Sequence, residues 1–110
     1  MRIRSQSNKK SINEGDHSMA LLANALAHPF RIALIRYLSG KNNGKGIDNL
    51  TCNKDLVQLF DYSQSTISQH VKILRDAGVF TTKSEDKFTY YTLNRHVLEQ
   101  FSKSLLKLNN

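Results

Sequence analysis

The sequence predicts a mainly α chain with one small β-hairpin, an α+β fold ordered α-α-(β)-α-α-β-β-α. Three observations predict it. Apolar residues recur at helical spacing in five separate segments. A run dense in β-formers, broken by a short polar insert, occupies residues 79–93. With 110 residues, 39% of them hydrophobic, the chain can build one modest core and not two.

The first helix is expected from Asp16 or Ser18, either of which can cap it. Met19, Leu22 and Leu26 then fall at helical spacing, and Pro29 ends the helix at His28, because the residue before proline avoids the α region. The same proline can open the second helix, where its first-turn position needs no N–H. Phe30, Ala33, Leu34, Tyr37 and Leu38 form that helix's stripe, and Gly40 is expected to stop it. A loop rich in Gly and Asn follows to Asn49, then a short extended segment, Leu50–Thr51–Cys52. Thr51 or Asn53 can cap a third helix that runs to about Phe60, with Leu56, Val57 and Phe60 inward. After the turn Asp61–Tyr62–Ser63, Ser63 caps a fourth helix from Gln64 to about Ala77, and Gly78 terminates it. The hairpin places its tip at Ser84–Lys87. Asn94 then caps a last helix carrying Val97, Leu98, Phe101, Leu105 and Leu108 on one side.

Charge and cysteine content narrow the function. Sixteen basic residues against nine acidic give a net charge of +7, which favours a polyanionic partner. More than half of that excess lies in residues 1–10, on Arg2, Arg4, Lys9 and Lys10. Residues 1–15 therefore read as a disordered basic tail, either a solvated terminus or an arm along DNA phosphates, ahead of a domain at 16–110. The single cysteine, Cys52, excludes an internal disulfide and suits a reducing, cytoplasmic setting. No apolar stretch is long enough to span a bilayer, so no membrane role is expected. No nucleophile elbow, phosphate-cradling Gly loop or histidine pair at ligand spacing appears, so neither an enzyme nor a cofactor is expected.

A short helix, a tight turn, a second helix and a hairpin make the layout of a winged helix-turn-helix, whose partner is double-stranded DNA. The fourth helix divides into two faces. Ile67, Val71 and Leu74 point inward, and Ser65, Ser68, Gln69, Lys72 and Asp76 fall on the opposite side. Gln64, Ser65 and Thr66 lie in its first turn, the end that usually meets base edges. Gln pairs bidentately with adenine, Ser and Thr serve bases or phosphates, and Lys72 adds charge one turn on. At the hairpin tip, Lys83 and Lys87 are candidates for contacts to backbone phosphates or the minor groove, opposed by Glu85 and Asp86; the bland alternative is a solvated turn. His70 reads as packed or phosphate-facing rather than a ligand, His28 as a junction residue and His96 as solvent-facing.

The run YSQSTISQHVKILRDAGV (Tyr62 to Val79) resembles the recognition segment of the ArsR/SmtB family of winged-helix repressors. LANALAHPFRIALIRYL (Leu22 to Leu38) resembles that family's second-helix signature, and YYTL (Tyr90–Leu93) its closing wing strand. The resemblance implies a homodimer, paired through the first and last helices, that represses transcription from a palindromic operator. Many family members release DNA when an inducer binds; here the inducer, if one exists, is unknown. The chain departs from the family's metal sites. Cys52 matches the first cysteine of the pair that opens the third helix, but Lys54 stands at the second. On the last helix the first two ligand positions hold Arg95 and Val97, with His96 between them. The resemblance thus implies a regulator without those metal sites. Cys52 is left as a buried structural residue, a thiol switch or an intersubunit ligand.

The apolar stripes support pairing directly. Met19, Leu22 and Leu26 on the first helix, and Leu98, Phe101 and Leu105 on the last, are more than so small a chain covers with its own core. Packing of the two helices on each other within one chain is the alternative. A winged helix that binds protein instead of DNA is the rival function, permitted by the nearly neutral wing and by Asp76.

Overall fold

The computed structural model describes residues 10–41, 51–85 and 87–109. Its elements are α1 (Glu14–Ala25), α2 (Pro29–Lys41), β1 (Thr51–Cys52), α3 (Asn53–Leu59), α4 (Gln64–Asp76), β2 (Phe80–Glu85), β3 (Phe88–Leu93) and α5 (Arg95–Leu108). This is the expected order: five helices and an antiparallel hairpin in a winged-helix arrangement. β3 is the central strand, flanked by β2 and by β1, both antiparallel to it.

α1 differs from the expectation at both ends. It begins at Glu14, so Glu14 and Gly15 belong to the helix and not to the tail. Asp16 is not the cap but the third helical residue of a capping box. The Asn13 side chain accepts from Asp16 N at 2.8 Å, and the Asp16 carboxylate accepts from Asn13 N at 3.0 Å. The helix ends at Ala25, three residues before His28: backbone N–H groups of Leu26 and Ala27 close on the carbonyls of Leu22, Ala23 and Asn24, and a side chain takes the carbonyl of Ala25. Arg31 Nε donates to Ala25 O at 2.7 Å, and another guanidinium nitrogen donates to Asn24 O. Pro29 opens α2 as expected. Gly40 does not stop α2, which runs on to Lys41.

α3 begins at Asn53; the capping side chains expected at Thr51 or Asn53 lie outside the described set, as do residues 1–9 and the loop at 42–50. Ser63 caps α4 as expected, accepting from Thr66 N at 3.2 Å. The far end of α4 is a Schellman closure. Gly78 N donates to Arg75 O and Val79 N to Leu74 O, both at 2.9 Å. Gly78 sits at φ +83°, a conformation that side chains resist, and buried Val79 follows it into the hairpin. Asn94 closes the other end of the hairpin. Its backbone N donates to Val79 O, its side-chain amide donates to Gly78 O, and its side-chain oxygen accepts from Val97 N to cap α5.

The core gathers Phe30, Leu34 and Leu38 of α2, Leu56 of α3, and Ile67, Val71 and Leu74 of α4 against Phe80, Tyr91 and Leu93 of the sheet. Each fully buried side chain of this size contributes about 1.5–3 kcal/mol. Val57, expected inward, is instead exposed on α3. Among the described residues no single helix is long and apolar enough to cross a membrane.

Candidate nucleic-acid interface

The two faces of α4 separate as the spacing predicts. Ile67, Val71 and Leu74 are buried, while Gln64, Ser65, Ser68, Gln69, Lys72 and Asp76 are exposed. The inner row fixes the helix against α2, α3 and β2, so the outer row is presented from a rigid support. Thr66 departs from the expected set. It is half-buried, and its hydroxyl accepts from Ser63 Oγ at 3.1 Å, so it serves the cap. Ser65 Oγ also lies 3.2 Å from Ser63 Oγ. Lys72 is paired with Asp76 at 2.8 Å, and Arg75 Nε lies 3.6 Å from the same carboxylate. The hydrogen bond from Lys72 is the chief reason that the Asp76 carboxyl titrates below its ordinary range. The exposed face is thus uncharged at Gln64, Ser65, Ser68 and Gln69, with two cations sharing one carboxylate one turn further on.

The wing is longer than the sequence suggests. β2 continues through Ser84 to Glu85, paired with Thr89 and Phe88, so Lys83 stands within the strand opposite Tyr90 and not at the tip. Lys87 precedes β3 and is exposed. Between α3, the start of α4 and β3 lies an open groove of about 540 Å³. Lys54, Gln58, Gln64, Ser68 and Lys87 line it, and Val57 and Phe88 add apolar surface. Lys54 and Gln58 join the candidate interface from α3, which the sequence reading had treated only as support. Spacing alone sets Lys54 and Gln58, four residues apart, on the side of α3 opposite Leu56, but does not show what that side faces.

Behind α4 the fold brings together residues far apart in sequence. Arg31 is the buried charged residue of the described chain, 8% exposed. Besides the two α1 carbonyls, its guanidinium donates to His70 Nδ1 at 3.1 Å. An arginine has no lone pair to offer, so His70 accepts on Nδ1 and carries its proton on Nε2. The His28 ring stands 4.5 Å from the His70 ring, centroid to centroid, and His28 Nδ1 accepts from Phe30 N. Phe30 and Tyr62 complete the aromatic surround. Burial, then His28 and Arg31, hold the His70 pKa below the ordinary histidine value. Sequence reasoning leaves His70 as packed or phosphate-facing and finds neither partner, because 39 and 42 residues separate it from Arg31 and His28.

The remaining candidates are scattered. Met19, Leu22, Leu26, Leu98 and Phe101 are half-buried, and α1 touches α5 within the chain. Leu105 is exposed, as are Leu21, Leu106 and Leu108, of which Leu21 and Leu106 lie outside the expected stripes. Cys52 pairs through β1 with Tyr90 of the wing strand. Among the described residues no group of three His, Cys, Asp or Glu side chains converges as a metal site.

The family model described as "Bacterial regulatory protein, arsR family" matches residues 28–81, from the α1–α2 junction into β2. The chain is similar to the arsenical resistance operon repressor of Staphylococcus aureus. The two are 30% identical over 80 residues, covering 69% of this chain and 77% of that one. Its likeness to the arsenical resistance operon repressor of Bacillus subtilis is higher, 43%, over only 44 residues; there the chain spans 42% of the relative's length. An ArsR-like transcriptional regulator from Rhodococcus sp. RHA1 has the same fold, with a TM-score of 0.74 at 14% identity over 88% of this chain and 84% of that one. The chain belongs to the arsR family of bacterial regulatory proteins, as a DNA-binding transcriptional repressor and not an enzyme.

Proposed function

We propose that the protein acts as a homodimer that represses transcription by reading a two-fold symmetric operator, α4 of each protomer entering a major groove. One observation carries this reading: Gln64, Ser65, Ser68 and Gln69 stand exposed on a helix whose opposite row is fully packed. Uncharged amides and hydroxyls held on a rigid support read base edges, whereas charge alone reads only the backbone. Lys72 takes phosphates one turn on, exchanging Asp76 for DNA. Lys83 and Lys87 hold the wing to the backbone, and the strand passes over the groove lined by Lys54. The exposed leucines at the end of α5 support pairing with a second copy, which would set the half-site spacing. No familiar metal site is used, because Lys54 occupies the position where the family's second α3 cysteine stands. Such a regulator works where the DNA is, in the cytoplasm.

The test is selection of bound duplexes from a random pool. The expected product is two half-sites in inverted repeat, about one helical turn apart. Gln69→Ala should relax base preference at one position of each half-site by about 1–3 kcal/mol if its contact is bidentate. An unselective pool, or capture of protein in place of DNA, ends this reading. A thiol-responsive version would act through Cys52, since β1 pairs with the wing strand; operator binding indifferent to oxidant removes it.

A further inference from the structure

Arg31 and His70 present a problem that the DNA-reading face does not explain. A buried guanidinium normally sits against a carboxylate. This one faces two backbone carbonyls at the end of α1 and a histidine on α4. The carbonyls suit it, because the C-terminal end of a helix carries partial negative charge. The histidine suits it only while neutral. His70 is packed against His28 from the α1–α2 junction, Phe30 and Arg31 from α2, and Tyr62 from the turn before α4. The titratable or charged groups facing it are therefore His28, Arg31 and Tyr62. The charges that act on His70 are those of His28 and Arg31, with no carboxylate beside them.

We propose that Arg31 and His70 form a positioning clamp that ties the recognition helix to the end of α1, and that a proton on His70 releases it. The chemistry is one of donors and acceptors. Neutral His70 offers the Nδ1 lone pair to the guanidinium. Protonated His70 has an N–H at both nitrogens, so Arg31 loses its acceptor and two like charges meet without a counter-ion. His70 follows Gln69 directly and precedes Lys72 by two residues, so release of the clamp moves the face that meets DNA. The neutral form is already favoured in the fold. The sign follows: with the folded pKa below the ordinary value of 6.5, the clamp's contribution to stability is complete above that value. It falls away as pH drops through 6.5 and on through the pKa of folded His70.

The inference rests on the DNA-binding reading, and its sign sets it apart from simple electrostatics. Added positive charge alone tightens binding to DNA in acid; release of a clamp weakens it. The experiment takes the full chain and a duplex that it has itself selected from a random pool. Affinity is measured by fluorescence anisotropy at constant salt, at about pH 7.5 and at the acid pH where nitrogen-15 spectra show the imidazole of folded His70 protonated. Wild type should weaken several-fold in acid, by at most about tenfold per pH unit for one linked proton. His70→Asn keeps an acceptor oxygen near the place of Nδ1 and takes up no proton. It should bind within about twofold of wild type at the higher pH and lose the acid weakening. Equal acid responses in the two proteins, or tightening of wild type in acid, overturn the clamp. Nitrogen-15 spectra of the imidazoles give a readout without DNA: at neutral pH His70 should carry its proton on Nε2 alone, and a proton on Nδ1 overturns the proposal. An empty selection counts against the DNA-binding reading, and the imidazole spectrum still decides the clamp.

Discussion

α4 and α5 are nearly equal in length, and both divide cleanly into an apolar and a polar side, yet the fold uses them in opposite ways. α4 buries Ile67, Val71 and Leu74 completely and leaves its polar side bare. α5 buries none of its residues. Its first half leans on the core through Val97 and Leu98, and then it runs past the molecule, ending with Leu105, Leu106 and Leu108 exposed at 47%, 67% and 70%. An amphipathic pattern therefore says that a face is to be covered and does not say by what. α4 finds its apolar cover within the chain and needs a partner for its hydrogen-bonding side. α5 leaves the end of its apolar side uncovered within the chain.

The largest expected effect tests the first half of that contrast. Leu74→Ala removes a fully buried side chain from the row that supports the recognition face. It should cost about 2–5 kcal/mol of unfolding free energy in urea titration. The same truncation at Leu108, which is exposed, should leave the unfolding of an isolated protomer nearly unchanged. A loss below about 0.5 kcal/mol for Leu74→Ala would mean that α4 is not held by its inner row.

The second effect concerns association. Leu108→Glu places a charge in the apolar end of α5. If a second copy covers that end, sedimentation should show dissociation at concentrations at least about tenfold higher than for wild type, a shift of about 1.4 kcal/mol. Far-ultraviolet circular dichroism should show the helices intact. An unchanged sedimentation profile would assign the exposed leucines to something other than self-association, and α5 would cease to be the counterpart of α4.

The sequence revealed the elements whose cause is local. Ser63 caps α4 and Asn94 caps α5 because their side chains reach backbone groups three residues away, and Gly78 turns where only positive φ will serve. The two faces of α4 needed no more than periodicity. Features whose cause is distant were hidden. The last carbonyl of α1, at Ala25, is taken by a side chain from α2, and no pattern within residues 14–28 encodes that. Lys83 left the tip because cross-strand pairing carried β2 on to Glu85, overriding a polar insert that reads as a turn. Position in the first turn puts Thr66 among the base readers, but does not show that it is half-buried with its hydroxyl accepting from the capping Ser63. Lys54 and Gln58 came to the interface only once β3 folded back to face α3.

Lys54 carries the smallest effect and the sharpest distinction. It is exposed at the edge of the groove between α3 and the wing, with Lys87 across from it on the wing side. A lysine in that position neutralises one phosphate and makes no distinction among bases. Lys54→Ala should therefore weaken every duplex by a similar factor and flatten the plot of log affinity against log salt by about 0.9, the slope of a single phosphate contact. Base preference should stay as in wild type. Gln69→Ala should do the converse, relaxing preference at one position and leaving the salt slope alone. The two variants thus separate the uncharged face of α4 from the cationic groove beside it. If Lys54→Ala altered preference, or left the slope intact, the phosphate backbone would not cross this groove. The wing would then have no common strand to share with α3, and the duplex would have to lie on α4 in some other orientation.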